Sequence, residues 1–164
     1  MTPKTTILLF LISALFISCL NDASFECRSD VEFNVDPTQL AKDIDAIDAY
    51  LADSSITAVK DPTGLRYVVN QKGTGIEPTI CNVVTVDYKA ILLKNGKLVD
   101  ESTNPVSFNL AGLITGWQIG LPKIKTGGAI TLYIPSVYAY GDSNLPGIPQ
   151  NSNLIFTINL LITN

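Results

Sequence analysis

Histidine is missing from all 164 residues. Its absence removes the side chain that most often moves protons near neutral pH. Ser-His-Asp and Cys-His nucleophile arrangements and most zinc sites go with it. Charge is scarce too: 16% of residues are charged, 11 basic against 15 acidic, for a net −4. A nucleic-acid binder needs clustered Lys and Arg to meet phosphates, so that class is excluded. There are three cysteines and no Cys-x-x-Cys redox motif. No apolar run approaches the roughly 20 residues of a spanning helix. What is plentiful is apolar side chain, 46% of the chain. That is enough for one well-filled domain plus a leader, and it argues against global disorder.

The leader is short. Lys4 precedes an apolar run from Ile7 to Ile17, followed by Ser18-Cys19, which reads as a charged n-region and an h-region. One reading is an ordinary signal peptide or a buried strand, with Cys19 incidental. The other starts from Phe16-Ile17-Ser18-Cys19, which resembles the lipobox of bacterial lipoproteins, with Phe16 where Leu is usual. That resemblance implies a signal peptide over 1–18, cleavage before Cys19, lipidation of its thiol and a tether over 19–35. It also implies a lipid anchor in the envelope of a Gram-negative-like bacterium, facing the periplasm or the surface, since two or more acyl chains attach a protein stably. Cys27 and Cys81 then remain. In an oxidising compartment they can pair, and the alternative is two free thiols.

Asp36-Pro37 offers an N-cap and a first-turn proline. Leu40, Ile44, Ile47 and Leu51 recur at three- and four-residue steps, so the spacing predicts an amphipathic helix over 37–52. Its stripe must pack on the following domain or on a second copy, which would make a homodimer. Residues 36–60 therefore read as helix and linker, and 61–164 as the domain. There the texture is β: strands over 65–69, 83–92, 97–100, 106–110, 129–134 and 154–162, with Asn95-Gly96 as a hairpin turn. Leu113 to Leu121 is the one helical segment, stopped by Pro122. The expected class is α+β: an antiparallel twisted sheet wrapped around one short helix, with an N-terminal amphipathic helix.

Ordered blocks within 83–162 then become recognisable: Val86-Asp87-Tyr88, Asn95-Gly96-Lys97, Val99-Asp100-Glu101-Ser102, Val106-Ser107-Phe108, Ile114 to Leu121, Ile134-Pro135, Tyr138-Ala139-Tyr140-Gly141, Pro146 to Pro149 and Leu154-Ile155-Phe156. Together they resemble the FKBP-type peptidyl-prolyl isomerases, the macrolide-binding family. Gly64 to Tyr67 and Gly73-Thr74-Gly75 resemble the approach strand of its bacterial extracytoplasmic members. The resemblance implies a catalytic pocket of Tyr88, Asp100, Phe108, Ile114, Trp117, Tyr140 and Phe156, with substrate contacts from Val99, Leu113, Leu145 and Ile148. Trp117 would be the floor under a proline ring. The Ile114 N–H and the Tyr140 hydroxyl would donate to substrate carbonyls. Three departures stand out: Val99 where the family usually has Phe, Ala90 where it commonly has Gly, and an overhanging loop one residue shorter near 148–150.

Read singly, Trp117, Phe108 and Phe156 are core residues, Tyr140-Gly141 is a turn and Asp100 is a surface carboxylate. Only their joint order raises the pocket. The implied activity is cis–trans isomerisation of X–Pro bonds in proline-containing polypeptides during folding of exported proteins. It needs no metal and no cofactor, and its partners are polypeptides and a membrane rather than nucleic acid. The rivals are a binding module that holds proline segments without turnover, favoured by the smaller Val99, and a scaffold lipoprotein that uses the 37–52 helix.

Overall fold

The computed structural model describes residues 35–164. The leader, most of the tether, Cys19 and Cys27 lie outside the described residues. Seven strands form one antiparallel sheet: β1 (Val59–Lys60), β2 (Arg66–Gln71), β3 (Val83–Leu92), β4 (Leu98–Glu101), β5 (Val106–Asn109), β6 (Gly128–Ile134) and β7 (Leu154–Thr163). Their order is β1-β2-β6-β7-β3-β4, with β5 also pairing to β3. The helices are α1 (Pro37–Asp53) and α2 (Thr115–Gly120). The α+β class is as the sequence predicts, and element bounds shift by a residue or two. The 59–60 strand was not expected. It is two exposed residues, visible only through pairing with Arg66 and Tyr67.

Side chains alternate across a sheet, and here both faces are used. On one face Val84, Val86, Ala90, Ile130, Leu132, Ile134, Leu154, Phe156, Ile158 and Leu160 join α2 in the main core. α2 sits very close to β6. A Cβ on Gly116 would lie 2.5 Å from Ile134 Cγ2, and one on Gly120 would lie 2.5 Å from Leu132 Cδ1. Glycine at these two positions lets the Trp117 backbone approach the sheet.

The intervening residues point the other way. Tyr133 and Ile155 face each other across β6 and β7 and meet Ile47 and Leu51 of α1, with Leu93 completing the cluster. The apolar stripe of α1 is therefore covered by its own domain rather than held open for a second copy. The helix starts where expected, with Asp36 accepting from the Thr38 N–H at 2.8 Å. Gly64 allows a tight fit beneath it: its φ is +104°, and a Cβ there would sit 2.8 Å from Ile44 Cδ1. Two acids pin the helix. Asp48 pairs with Arg66 Nε at 2.8 Å and with Lys60 Nζ at 3.0 Å, while buried Asp43 bonds to Ser136. No helix among the described residues is long and apolar enough to cross a membrane.

Candidate active site

α2 is only six residues long, yet it places Trp117 over the centre of the main core. The indole is 4% exposed. Three rings approach it edge-on: Tyr88 at 5.4 Å, Phe156 at 5.4 Å and Phe108 at 6.2 Å between centroids. Edge-to-face geometry sets the positive rim of one ring on the negative face of another and stabilises such pairs beyond simple burial. The three partners come from β3, β7 and β5, which pair side by side, Ala90 with Phe156 and Val84 with Phe108. Strand register thus decides which rings meet.

Around this floor lies a cavity of about 230 Å³ lined by Tyr88, Ala90, Val99, Asp100, Phe108, Leu113, Ile114, Trp117, Tyr140 and Phe156. It brings together every residue expected in the pocket except two, Leu145 and Ile148, which do not line it. Pro146-Gly147 turns the loop back, so that Leu145 and Ile148 exchange backbone hydrogen bonds of 3.0 Å. The turn buries Ile148 in the main core and leaves Leu145 at 38% exposure. Ala90 lines the cavity although it was not expected as a site residue. Its signal was present: Ala90 follows Tyr88 by two in a strand, so both share a face.

The polar groups are few. The Tyr88 hydroxyl donates to Asp100 Oδ2 at 2.6 Å. Burial and that hydrogen bond push the Tyr88 pKa up to about 12. Tyr140, 37% exposed, is also raised, first by burial and then by the charge of Asp100. Both phenols are therefore neutral donors at physiological pH. The Ile114 carbonyl accepts from the Trp117 and Gln118 N–H groups at 2.9 and 3.3 Å. The Gln118 side chain ties down the preceding turn, donating to the Leu113 carbonyl at 2.7 Å and the Ala111 carbonyl at 3.1 Å. Among the described residues no partner meets the buried Trp117 Nε1. Cys81 is disulfide-bonded, and the two other cysteines of the sequence lie outside the described residues.

An apolar aromatic cavity with two neutral phenols and one carboxylate, opening from a sheet wrapped on a short helix, defines a class of protein that binds by shape and water exclusion. Comparison with known proteins says which. The family model of FKBP-type peptidyl-prolyl cis-trans isomerases matches residues 75–161, and the chain belongs to that family. It is similar to the FKBP-type peptidyl-prolyl cis-trans isomerase FkpA of Escherichia coli (strain K12), 47% identical over 102 residues that cover 60% of this chain and 37% of that protein. It is 41% identical to the peptidyl-prolyl cis-trans isomerase Mip of Coxiella burnetii, again over 60% of this chain and 44% of that one. The chain thus spans under half the length of these curated relatives. Among solved structures, FkpA from Escherichia coli superposes with a TM-score of 0.68 at 38% identity, covering 77% of this chain and 62% of that one. A Pseudomonas syringae peptidyl-prolyl cis-trans isomerase gives 0.66 at 29% identity, covering 76% and 95%.

Proposed function

We propose that this chain isomerises X–Pro bonds in exported polypeptides, with Trp117 as the floor on which the proline ring sits. The observation that carries this reading is the ring arrangement: an indole fixed edge-on by three aromatics at the bottom of a small open cavity. About 230 Å³ is below the roughly 300–1,000 Å³ of drug-sized sites and suits one ring with its flanking amides.

The chemistry follows from amide resonance. Rotation about an amide C–N bond faces a barrier of about 18–20 kcal/mol. At the top of that barrier the amide is twisted, its resonance is lost, and its carbonyl oxygen carries less negative charge. A dry apolar wall therefore disfavours the planar ground state more than the twisted one, which is differential binding of the transition state. In this reading the Tyr140 hydroxyl and the Ile114 N–H donate to flanking carbonyls of the substrate. The Tyr88 hydrogen bond occupies one oxygen of Asp100, which keeps the single carboxylate in a fixed orientation at the wall. No proton is transferred, so a chain without histidine can do this work.

Val99, half-buried in the wall, replaces a larger aromatic of the family pattern. Each tenfold in rate corresponds to about 1.4 kcal/mol of differential stabilisation, and one lost ring contact is of that size. We expect a working enzyme of modest rate. The leader supports a lipid anchor at Cys19 in a bacterial envelope, with residues 36–60 carrying the helix and 61–164 the catalytic domain. A dimer through the α1 stripe is not part of this proposal, because Ile47 and Leu51 are buried against the domain itself.

The test is the cis–trans exchange rate of a short X–Pro peptide with the full chain in mild detergent. Acceleration over the spontaneous tens to hundreds of seconds is expected, reduced about tenfold or more by Trp117→Leu and several-fold by Tyr140→Phe. Peptide binding without acceleration would instead identify a proline-binding module.

A further inference from the structure

The family match begins at residue 75, so α1 lies outside it, yet α1 contributes a buried carboxylate that reaches the segment holding Tyr140. Asp43 is 3% exposed and makes no ion pair among the described residues. A buried carboxylate without a cation is costly unless hydrogen bonds replace its water. Asp43 accepts three: from Gln39 Nε2 at 2.8 Å, from the Ser136 hydroxyl at 2.6 Å and from the Val137 N–H at 3.4 Å. Two of the three come from the turn immediately before Tyr140.

The bonding continues from there. Ser136 is fully buried, and its carbonyl accepts from the N–H of Ala139 at 3.0 Å and of Gly141 at 2.8 Å. These are the residues on either side of Tyr140. The Ser136 N–H donates to Asn153 Oδ1 at 2.9 Å. The Asn153 amide returns to the Asp43 carbonyl at 3.3 Å, closing a loop back to α1. Asn153 directly precedes β7, the strand that carries Phe156. The Asp43 carboxylate thus fixes the turn that leads to Tyr140, while its backbone carbonyl, which side-chain replacement leaves in place, holds the chain that leads to Phe156.

We propose that Asp43 is a positioning residue: it orients Ser136 and, through the Ser136 carbonyl, sets the aim of the Tyr140 hydroxyl into the cavity. The inference rests on the isomerase reading, in which that hydroxyl meets substrate. If Asp43 served only to hold α1 in place, its loss would lower stability and leave the phenol where it is.

A double-mutant cycle with Tyr140→Phe separates the two. With the full chain, at a temperature where circular dichroism shows each variant folded, Asp43→Ala should lower kcat/KM for an X–Pro peptide about fivefold. In the Tyr140→Phe background the same change should cost nothing further. Asp43→Asn should recover most of the loss, because its amide oxygen still accepts from Ser136 and the Gln39 amide can turn to accept from the new amine. Losses that simply add in the double variant would overturn the proposal. A readout independent of turnover accompanies these: the fluorine resonance of 3-fluorotyrosine at position 140 should shift in Asp43→Ala and return in Asp43→Asn, and an unmoved resonance in Asp43→Ala would also overturn it. Should the unsubstituted chain show no turnover, the isomerase reading alone fails and the fluorine resonance still decides. If Asp43→Ala does not fold, Ser136→Ala removes the central donor at nearly unchanged volume and is expected to give the same non-additivity and the same shift.

Discussion

Trp117 and Asp43 are buried to nearly the same degree, 4% and 3% exposed, yet they are treated in opposite ways. The indole has rings on three sides, and its one polar atom has no partner among the described residues. The carboxylate has three donors arranged around it. An unsatisfied buried N–H costs about 1–3 kcal/mol, and an unsatisfied carboxylate far more. The floor tolerates the small cost because packing and shape set its geometry. The seam under α1 cannot, so its geometry is set by hydrogen bonds. One region makes the cavity dry and the other fixes where its rim lies.

The sharpest way to break this contrast is at the floor. Trp117→Ala removes the ring on which three others lean and should cost about 3–5 kcal/mol of unfolding free energy, read by urea denaturation. A loss below about 1 kcal/mol would mean that the four rings pack independently of one another.

The polar side has its own counterpart at Asp48. It holds Arg66, whose side chain is 8% exposed, while Asp48 itself is 31% exposed. Asp48→Ala leaves a buried guanidinium short of its charge partner. The expected cost is about 2–3 kcal/mol, below the roughly 3–5 for a fully buried pair, because water reaches the carboxylate. The pH dependence has a defined sign. Hydrogen bonding from Arg66 holds the Asp48 carboxyl down at about 2, against an ordinary value of 3.8. Its contribution is therefore fully present above that ordinary value and is lost as pH falls through about 2. Asp48→Asn should flatten this part of the acid limb in denaturation curves taken between pH 5 and pH 2. An unchanged limb would put the acid sensitivity elsewhere.

The two regions also differ in how far sequence reveals them. The start of α1 was legible from Asp36-Pro37, and its buried face from Leu40, Ile44, Ile47 and Leu51. β3 was legible from its length and from the alternation that is clearest between Val84 and Tyr88. The cavity was legible because its residues stand in blocks whose order matches a known pattern, although the position of Ile148 was not. That depended on a turn at Pro146-Gly147 that buries one side chain and exposes the other. The seam was hidden for a different reason. Ser136 and Asn153 lie 93 and 110 residues from Asp43, and each alone is an ordinary polar residue. One signal was present: Asp43 sits three after Leu40 and four before Ile47, on the apolar stripe itself, where a carboxylate must find donors.

The smallest effect tests the polar rim of the floor, the Tyr88–Asp100 pair. Burial and the hydrogen bond to Asp100 raise the Tyr88 hydroxyl to about 12 from an ordinary 10.0. A raised phenol contributes stability that is complete below the ordinary value and is lost as pH climbs through the raised one. Two units correspond to about 2.7 kcal/mol at most. Tyr88 is only half-buried, so screening by water reduces this to about 1 kcal/mol. Stability should fall between about pH 9 and pH 11.5, and Tyr88→Phe should shrink that fall by about 1 kcal/mol, the remainder coming from the other raised phenols, Tyr133, Tyr138 and Tyr140. Turnover behaves differently: both cavity phenols stay protonated across neutral pH, and the chain has no histidine. The isomerisation rate should therefore be level between about pH 6 and pH 9, where unperturbed phenols are still neutral. A bell-shaped profile in that window would require a titrating group that the cavity does not contain, and would end the reading of this site as one that works without moving a proton.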